Sequence, residues 1–225
     1  MFETFKADLK AAMENDPAAK NKAEIIFTYG GFRALQSYRR AHWFYTHKMS
    51  FIAFLITAHA RKCYGVEIHP AAKIGKGVFI DHGVGLIIGE TTEIGNNVTI
   101  YQGVTLGGTG KDVGKRHPTI GNNVMISAGA KILGPVVIGD YTKIGAGSVV
   151  LKNVPSHCTV VGVPGRVVRM HGERYNDLDQ KLPDPVLEEF SRINNRLVEI
   201  EGKLKLKSGT CSLVQQNNTE KNEDL

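Results

Sequence analysis

An aliphatic residue recurs at every sixth position through the middle of the chain, and the register breaks only twice. Glycine, at 25 of 225 residues, is well above its usual share of about 7 %. Neither the helical period of 3.6 nor a heptad explains a period of six. It predicts a parallel β-helix with three hexapeptides per coil, whose coils must stack to bury their inner faces. The series is Ile68, Ile74, Ile80, Ile88, Ile94, Ile100, Leu106, Ile120, Ile126, Ile132, Ile138, Ile144 and Val150.

Both breaks in the register contain a histidine beside a charged residue. Two extra residues fall between Ile80 and Ile88, around Asp81-His82, and eight extra residues precede Ile120, in a segment that ends Arg116-His117-Pro118. Insertions in a solenoid map to loops on one face, which is often the binding face. The two breaks therefore hold the first candidates for functional residues.

The segments on either side of the repeat are predicted to be helical. Asp16-Pro17 is interpreted as a helix N-cap followed by proline, Gly30-Gly31 as a break, and helices are expected over 32–46 and 49–64. A short heptad pattern after Pro185 predicts a C-terminal helix that packs on its own subunit or in an intersubunit zipper. The predicted fold class is mainly β with α. The chain is predicted to comprise an α-helical domain (1–66), a β-helix (67–170), an extension with a helix (171–206) and a flexible tail (207–225).

Composition narrows the class of protein. The net charge of +6 comes from scattered residues, and no nucleic-acid motif accompanies it. Cys63, Cys158 and Cys211 are far apart, which favours a reducing cytoplasm over a disulfide framework. The most apolar run, 51–60, is far shorter than the roughly 20 residues of a membrane span. We expect a cytoplasmic protein that binds neither nucleic acid nor membrane.

A set of motifs occurs in fixed order along the repeat. The motifs are Glu67-Ile68-His69-Pro70, Asp81-His82, Gly89-Glu90-Thr91, Gly107-Gly108-Thr109-Gly110, Arg116-His117-Pro118 and Gly162-Val163-Pro164. Together they resemble those of the serine O-acetyltransferases, which are hexapeptide-repeat acetyltransferases, and the resemblance covers about residues 14–170. This resemblance implies a left-handed coil, acetyl-CoA as co-substrate, L-serine as acceptor, a role in L-cysteine biosynthesis, and a homotrimer with active sites between subunits.

The chemistry of acetyl transfer to a hydroxyl requires a base. Histidine suits this role because its unperturbed pKa lies near 6.5, and a carboxylate behind it would orient the ring. The resemblance assigns the base to His82 and the partner acid to Glu67. A solvated Glu67 at the start of the solenoid remains the alternative.

Serine is a zwitterion, so its site needs both signs of charge. Arg116 is suited to bind the serine carboxylate, because its guanidinium can donate two parallel hydrogen bonds in a bidentate contact. The resemblance assigns Asp16 and Asp81 to the ammonium group, and His117 to the substrate or to Asp81. A cap role alone remains open for Asp16, and a surface charge for Arg116.

The acetyl-CoA site is expected in a groove between neighbouring β-helices. Backbone groups at Gly108 and Thr109 are candidates for pantetheine or oxyanion contacts, Ala128 and Ala146 for close passage of the cofactor, and Arg166 for its phosphates. Corner geometry is the alternative for the glycines and alanines. His69, before a proline at a coil start, is expected to be structural.

Other functions on this fold remain as alternatives. One is an acetyltransferase for a sugar or antibiotic hydroxyl, and another is a metal hydratase of the γ-carbonic-anhydrase type, which needs three histidines on zinc. A third is an inactive scaffold. The intact set of Glu67, His82, Arg116 and His117 favours the serine enzyme, for which no metal is expected.

The resemblance extends to regulation and assembly. It implies L-cysteine as a feedback inhibitor. Family tails that dock into O-acetylserine sulfhydrylase typically end in isoleucine, whereas this chain ends in Leu225. The helical domain is short, which favours a trimer over the hexamers of members with longer domains, although a hexamer stays open.

Overall fold

The computed structural model of the chain describes residues 2–110, 113–174 and 192–203. Two compact units divide the chain, Met1–Gln180 and Lys181–Leu225. Within the described residues, the first unit contains four helices and all the strands. The helices are α1 (Phe2–Asn15), α2 (Lys22–Thr28), α3 (Gly30–Thr46) and α4 (Ser50–Tyr64).

Two of the predicted helices are confirmed, and the predicted cap is wrong. Helices α3 and α4 match the expected ranges 32–46 and 49–64 closely. Asp16 does not begin a helix, because α1 ends just before it and the side chain of Asn21 caps α2. A residue before proline disfavours helical backbone angles, which explains the stop ahead of Pro17. The break between α2 and α3 falls at Tyr29, so Gly30-Gly31 opens α3 rather than interrupting a helix.

The repeat forms the predicted parallel β-helix with three short strands per coil. Sheet A contains β1 (Glu67–Ile68), β4 (Ile87–Ile88), β7 (Thr105–Gly107), β10 (Lys131–Leu133) and β13 (Val149–Val150). Sheet B contains β2 (Lys73–Ile74), β5 (Glu93–Ile94), β8 (Thr119–Ile120) and β11 (Val137–Ile138). Sheet C contains β3 (Phe79–Ile80), β6 (Thr99–Ile100), β9 (Met125–Ile126), β12 (Lys143–Ile144), β14 (Cys158–Val161), β15 (Arg166–Met170) and β16 (Glu173–Arg174).

The aliphatic series fills the interior of the coil. In sheet A, Ile68 pairs in register with Ile88, and Ile88 with Leu106. The side chains of Ile88, Leu106 and Ile132 are almost fully buried. Each coil therefore covers the apolar face of the next, which is how short strands become stable in a solenoid.

A buried ion pair ties the helical segment to the first coil. Asp8 in α1 is fully buried and accepts hydrogen bonds from Arg39 Nε at 2.7 Å and from the backbone N–H of Val78 at 3.2 Å. Arg39 also donates to the carbonyl of Gly75 at 2.7 Å. The pair thus links α1, α3 and the first coil, and the helices cover that end of the β-helix.

The far end of the solenoid differs from the coils. Strands β14, β15 and β16 pair antiparallel, which ends the parallel ladder of sheet C.

In the second unit, residues 192–203 are helical, and Ile193, Leu197 and Ile200 of the heptad pattern are about half exposed. The other predicted heptad positions, Phe190 and Leu204, and the predicted tail lie outside the described residues. No helix in the described ranges is long and apolar enough to cross a membrane.

Candidate active site

His82 occupies an exposed turn between sheet C and sheet A. The corresponding corners of the next three coils each turn at a glycine, and the two extra residues here add a tight turn at His82-Gly83. His82 has a φ of 56°, which is uncommon for a residue other than glycine. Its side chain is 74 % exposed, and its Nε2 lies 3.7 Å from Asp81 Oδ1. The register break therefore holds an imidazole out from the corner, beside a carboxylate.

Asp16 joins this corner from the helical segment. Tyr29 donates its hydroxyl to Asp16 Oδ2 at 2.7 Å, and the N–H of Ala18 donates to Oδ1 at 2.7 Å. These hydrogen bonds hold the pKa of Asp16 below its usual range, and His82 adds to this effect. The same contact raises the pKa of Tyr29 to about 12, with a smaller contribution from Asp81. We call Asp16, Tyr29, Asp81 and His82 the base cluster.

A second group of side chains lies between sheet A and sheet B. Arg116 Nη2 donates to Glu90 Oε2 at 2.5 Å. This hydrogen bond is the main reason why the pKa of Glu90 is lowered. The guanidinium remains one-third exposed, so it can still contact a ligand.

Thr91 binds the C-terminal end of the long insertion, which contains Arg116 and His117. Its hydroxyl oxygen accepts hydrogen bonds from the backbone N–H groups of Arg116 and His117, each at 3.1 Å. Its carbonyl accepts from Lys115 Nζ at 2.6 Å. One threonine thus fixes the backbone at both predicted ligand residues. We call Glu90, Thr91, Arg116 and His117 the arginine cluster.

His117 is locked in a single orientation. It is only 8 % exposed, and its Nδ1 accepts a hydrogen bond from the N–H of Thr91 at 3.2 Å. Burial, helped by nearby Arg116, lowers the pKa of His117, so the ring is neutral at pH 7. Because Nδ1 is an acceptor, the proton of the neutral ring lies on Nε2. His117 therefore presents an N–H donor, not a base, at this atom.

Gly89 makes room for that imidazole. A Cβ at residue 89 would lie 2.0 Å from His117 Cδ2. Only glycine can stand there with the ring in place. The Gly89-Glu90-Thr91 motif thus contributes space, a charge partner and a backbone anchor to the same cluster.

Glu67 and His69 both lie on the first coil, and His69 is close enough to Glu90 and Arg116 to interact with their charges. Glu67 pairs with Arg61 of α4 at 3.3 Å and lines a cavity of about 260 Å³ with His69. Burial lowers the pKa of His69, and its ring packs edge-on against Phe54. This environment fits the structural role expected for His69.

The two clusters stand at opposite ends of one strand. Strand β4 runs from the corner that holds His82 to the corner that holds Glu90. Within the chain, His82 pairs with Asp81 while Glu67 pairs with Arg61, so the predicted His82–Glu67 dyad is not formed inside one chain. Asp16, Asp81 and His82 are brought together, and Arg116 and His117 are brought together, but a single chain separates the two sets.

The predicted acetyl-CoA residues are distributed over the same two edges. Gly108 and Thr109 follow β7, at the edge of the arginine cluster. Ala128 and Ala146 occupy the corners above His82, where Ala128 is partly buried and Ala146 is exposed. Arg166 begins β15.

Three functional candidates were not assigned a role from the sequence. Glu90 and Thr91 were visible as part of a motif, but nothing in the sequence tells that they hold Arg116 and His117. Tyr29 gave no signal, because its contact with Asp16 depends on how α2 and α3 meet.

Within the described ranges, no group of three His, Cys, Asp or Glu side chains could hold a metal ion.

Comparison with known proteins decides the family. Residues 1–37 match the family profile described as "Serine acetyltransferase, N-terminal", and residues 117–152 match "Bacterial transferase hexapeptide (six repeats)". The serine acetyltransferase of Bacillus pumilus is 52 % identical over 205 residues, which cover 90 % of this chain and 94 % of that protein. The chain belongs to the serine acetyltransferase family.

Solved structures agree with this assignment. A serine acetyltransferase from Brucella abortus in complex with coenzyme A has a TM-score of 0.73 and 44 % identity, over 74 % of this chain and 67 % of that one. Another serine acetyltransferase, in complex with cysteine, has a TM-score of 0.73 and 46 % identity, over 74 % and 69 % of the two chains. This family member is thus an acyltransferase that moves an acetyl group from acetyl-CoA to serine on a left-handed β-helix.

Proposed function

We propose that each active site of this serine acetyltransferase is formed by two neighbouring chains of a homotrimer. The separation of the base cluster and the arginine cluster by sheet A carries this proposal. Neither cluster alone provides both a base and a carboxylate-binding group. A cyclic arrangement that sets the first corner of one chain against the second corner of the next completes three identical sites.

His82 acts as the general base in this site. It takes the proton from the serine hydroxyl as the oxygen attacks the thioester carbonyl of acetyl-CoA. The tetrahedral intermediate then collapses, the bond to sulfur breaks, and the imidazolium returns its proton to the departing CoA thiolate. Glu67 of the neighbouring chain orients the ring, and its exposed position on the outer face of sheet A fits this role.

Charged groups of the two clusters hold the substrate from both ends. Arg116, braced by Glu90, binds the serine carboxylate, and the Nε2–H of His117 donates to the substrate. Asp16 and Asp81 of the adjacent chain bind the ammonium group. The nucleophilic hydroxyl then lies beside His82, because Asp81 and His82 share one turn.

Acetyl-CoA runs between the two chains, along the corners above His82. The N–H groups of Gly108 and Thr109 contact the pantetheine or the oxyanion. Small side chains at Ala128 and Ala146 let the cofactor pass close to the backbone, and Arg166 meets its phosphates. In this proposal the catalytic part spans 67–170, and the helical domain, 1–66, supplies Asp16.

The product, O-acetyl-L-serine, places the enzyme in L-cysteine biosynthesis in the cytoplasm. The free thiols of Cys63 and Cys158 fit a reducing compartment. L-Cysteine would occupy the serine site as a feedback inhibitor, since it differs from serine by one atom and can use the same charged contacts. The related enzyme in complex with cysteine supports this inference.

The reaction is tested by thiol release from acetyl-CoA with L-serine, beside homoserine, sugars and chloramphenicol as alternative acceptors. We expect release with L-serine, and a loss of about 10²-fold or more in His82→Ala. Release only with another acceptor would overturn the assignment.

The shared site is tested by mixing two defective chains. His82→Ala retains the arginine cluster and Arg116→Ala retains the base cluster, so a site is intact only when each comes from the correct chain. At low serine, co-expressed chains in equal amounts should recover about one quarter of the wild-type activity, since each site in a cyclic trimer draws its two clusters from different chains. If each chain holds a complete site, the mixture stays as inactive as its components.

A further inference from the structure

Tyr29 is the one member of the base cluster to which the proposed reaction gives no role. Its hydroxyl and the N–H of Ala18 give each oxygen of the Asp16 carboxylate one donor before any ligand arrives. A carboxylate oxygen can accept more than one hydrogen bond, so both oxygens keep capacity for an ammonium group. The two donors therefore fix the plane of the carboxylate without blocking it.

The backbone of Tyr29 is itself held in place. It is the residue that joins α2 to α3, its N–H donates to the carbonyl of Ile25 at 3.3 Å, and its carbonyl accepts from the N–H of Arg33 at 3.0 Å. The phenol is thus attached to two helices. Asp16 lies between α1 and α2, where its N–H donates to the carbonyl of Ala12 at 3.2 Å and its carbonyl accepts from the N–H of Ala19 at 3.1 Å. Both partners of the side-chain hydrogen bond therefore stand on held backbone.

A close backbone contact connects Tyr29 to the catalytic turn. Two residues after Tyr29, Gly31 packs so closely on the first coil that a Cβ there would lie 2.1 Å from the carbonyl oxygen of Ile80. Ile80 directly precedes Asp81-His82. The position of Tyr29 is therefore set relative to the same turn that presents the base.

We propose that Tyr29 is a positioning residue of the serine site, whose hydroxyl orients the Asp16 carboxylate toward the substrate ammonium group beside His82. This inference rests on the proposed role of Asp16 in binding serine. Tyr29 acts through Asp16 and does not itself contact the substrate. A tyrosine hydroxyl is protonated at neutral pH and can donate, and the hydrogen bond to Asp16, which raises the pKa of Tyr29 to about 12, moves its ionisation still further from neutrality.

The test is Tyr29→Phe, which removes one oxygen atom and retains the ring. Loss of one hydrogen bond should raise the KM for serine about 3- to 10-fold, with kcat and the KM for acetyl-CoA nearly unchanged. Tyr141→Phe is the matched control, because that ring stacks on His157 at 4.8 Å and lies on another corner of the coil. An unchanged serine KM in Tyr29→Phe would overturn the proposal, and so would an equal loss in both variants.

The pKa of Asp16 itself separates positioning from a general structural role. The Tyr29 hydrogen bond is the largest cause that lowers this pKa, so its removal raises it. The pKa of the Asp16 carboxyl, measured by NMR titration of carboxyl-labelled protein, should therefore be higher in Tyr29→Phe and unchanged in Tyr141→Phe. A variant that merely loosened the fold would lower activity without moving this pKa, and an unmoved pKa in Tyr29→Phe would overturn the proposal.

Asp16→Asn distinguishes failure of this inference from failure of the proposed site. If Asp16→Asn raises the KM for serine but Tyr29→Phe does not, Asp16 binds serine and only the role of Tyr29 is wrong. If Asp16→Asn leaves the KM unchanged, both roles are wrong. If both are right, the Asp16→Asn, Tyr29→Phe double variant should show much less than the product of the two single effects, because one residue acts through the other.

Discussion

The base cluster and the arginine cluster each contain a histidine, but the chain holds the two rings very differently. His82 is largely exposed on an added turn, and its only described polar partner is a carboxylate at 3.7 Å. His117 is buried, and Thr91 fixes it twice, since the Thr91 hydroxyl accepts from the N–H of His117 and the Thr91 N–H donates to its Nδ1 atom. This difference in packing supports the proposed roles, a proton acceptor for His82 and an N–H donor for His117, although both are histidines beside a charge.

This difference also shows where preorganisation resides. The arginine cluster is assembled within one chain, through hydrogen bonds that need no ligand. The base cluster leaves its ring open in the single chain, and in the proposed trimer a neighbouring chain and a substrate would cover it. Under the proposed arrangement, catalytic geometry would depend on assembly at one edge of sheet A and on local hydrogen bonding at the other.

The largest expected effects are on the kinetics of two single variants, in which His82 or His117 is replaced by alanine. His82→Ala should lower kcat by about 10²–10⁴-fold, because a general base is lost. His117→Ala should chiefly raise the KM for serine, by about 3- to 10-fold, because a single hydrogen-bond donor is lost. Steady-state kinetics at saturating acetyl-CoA separates the two. An equal fall of kcat in both variants would contradict the distinction between base and donor.

The sequence predicted the β-helix because a period of six leaves few alternatives, and Ile68, Ile88 and Leu106 do stack in register. It also indicated both corners, since each insertion breaks that period. The interpretation of Asp16 as a cap was wrong, because the same residues, aspartate then proline, can also end a helix. The Asp8–Arg39 pair could not be predicted, since it joins residues from α1 and α3 that meet only in the folded chain.

The next effect concerns the glycines on which the two clusters depend. Gly31→Ala would drive a Cβ against the backbone of Ile80, and such overpacking typically costs about 1–3 kcal/mol of unfolding free energy. Gly89→Ala meets a side chain instead, so the ring of His117 can move aside. We expect Gly31→Ala to lower stability in urea denaturation, and Gly89→Ala mainly to raise the KM for serine.

Gly30→Ala is the matched control for both glycine variants. It lies next to Gly31 at the start of α3, and a Cβ there would meet nothing within 4 Å. Alanine also suits a helix better than glycine, so stability should be unchanged or slightly higher. If Gly30→Ala destabilised the protein as much as Gly31→Ala, the close contact with Ile80 would not explain the effect.

The smallest expected effect is a pH dependence of the unfolding free energy. It arises from His69 and His117, at the edge of sheet A that holds the arginine cluster. Burial lowers the pKa values of His69 and His117 in the folded chain, so below pH 6.5 the unfolded chain binds protons that the folded chain does not. Stability must then rise with pH through this window and fall on acidification, by at most about 1.4 kcal/mol per pH unit for each histidine. Urea denaturation at pH 5.5, 6.5 and 7.5 measures the slope. His117→Gln should flatten it while its serine KM rises, and an unchanged slope would mean that burial of this ring does not oppose its protonation.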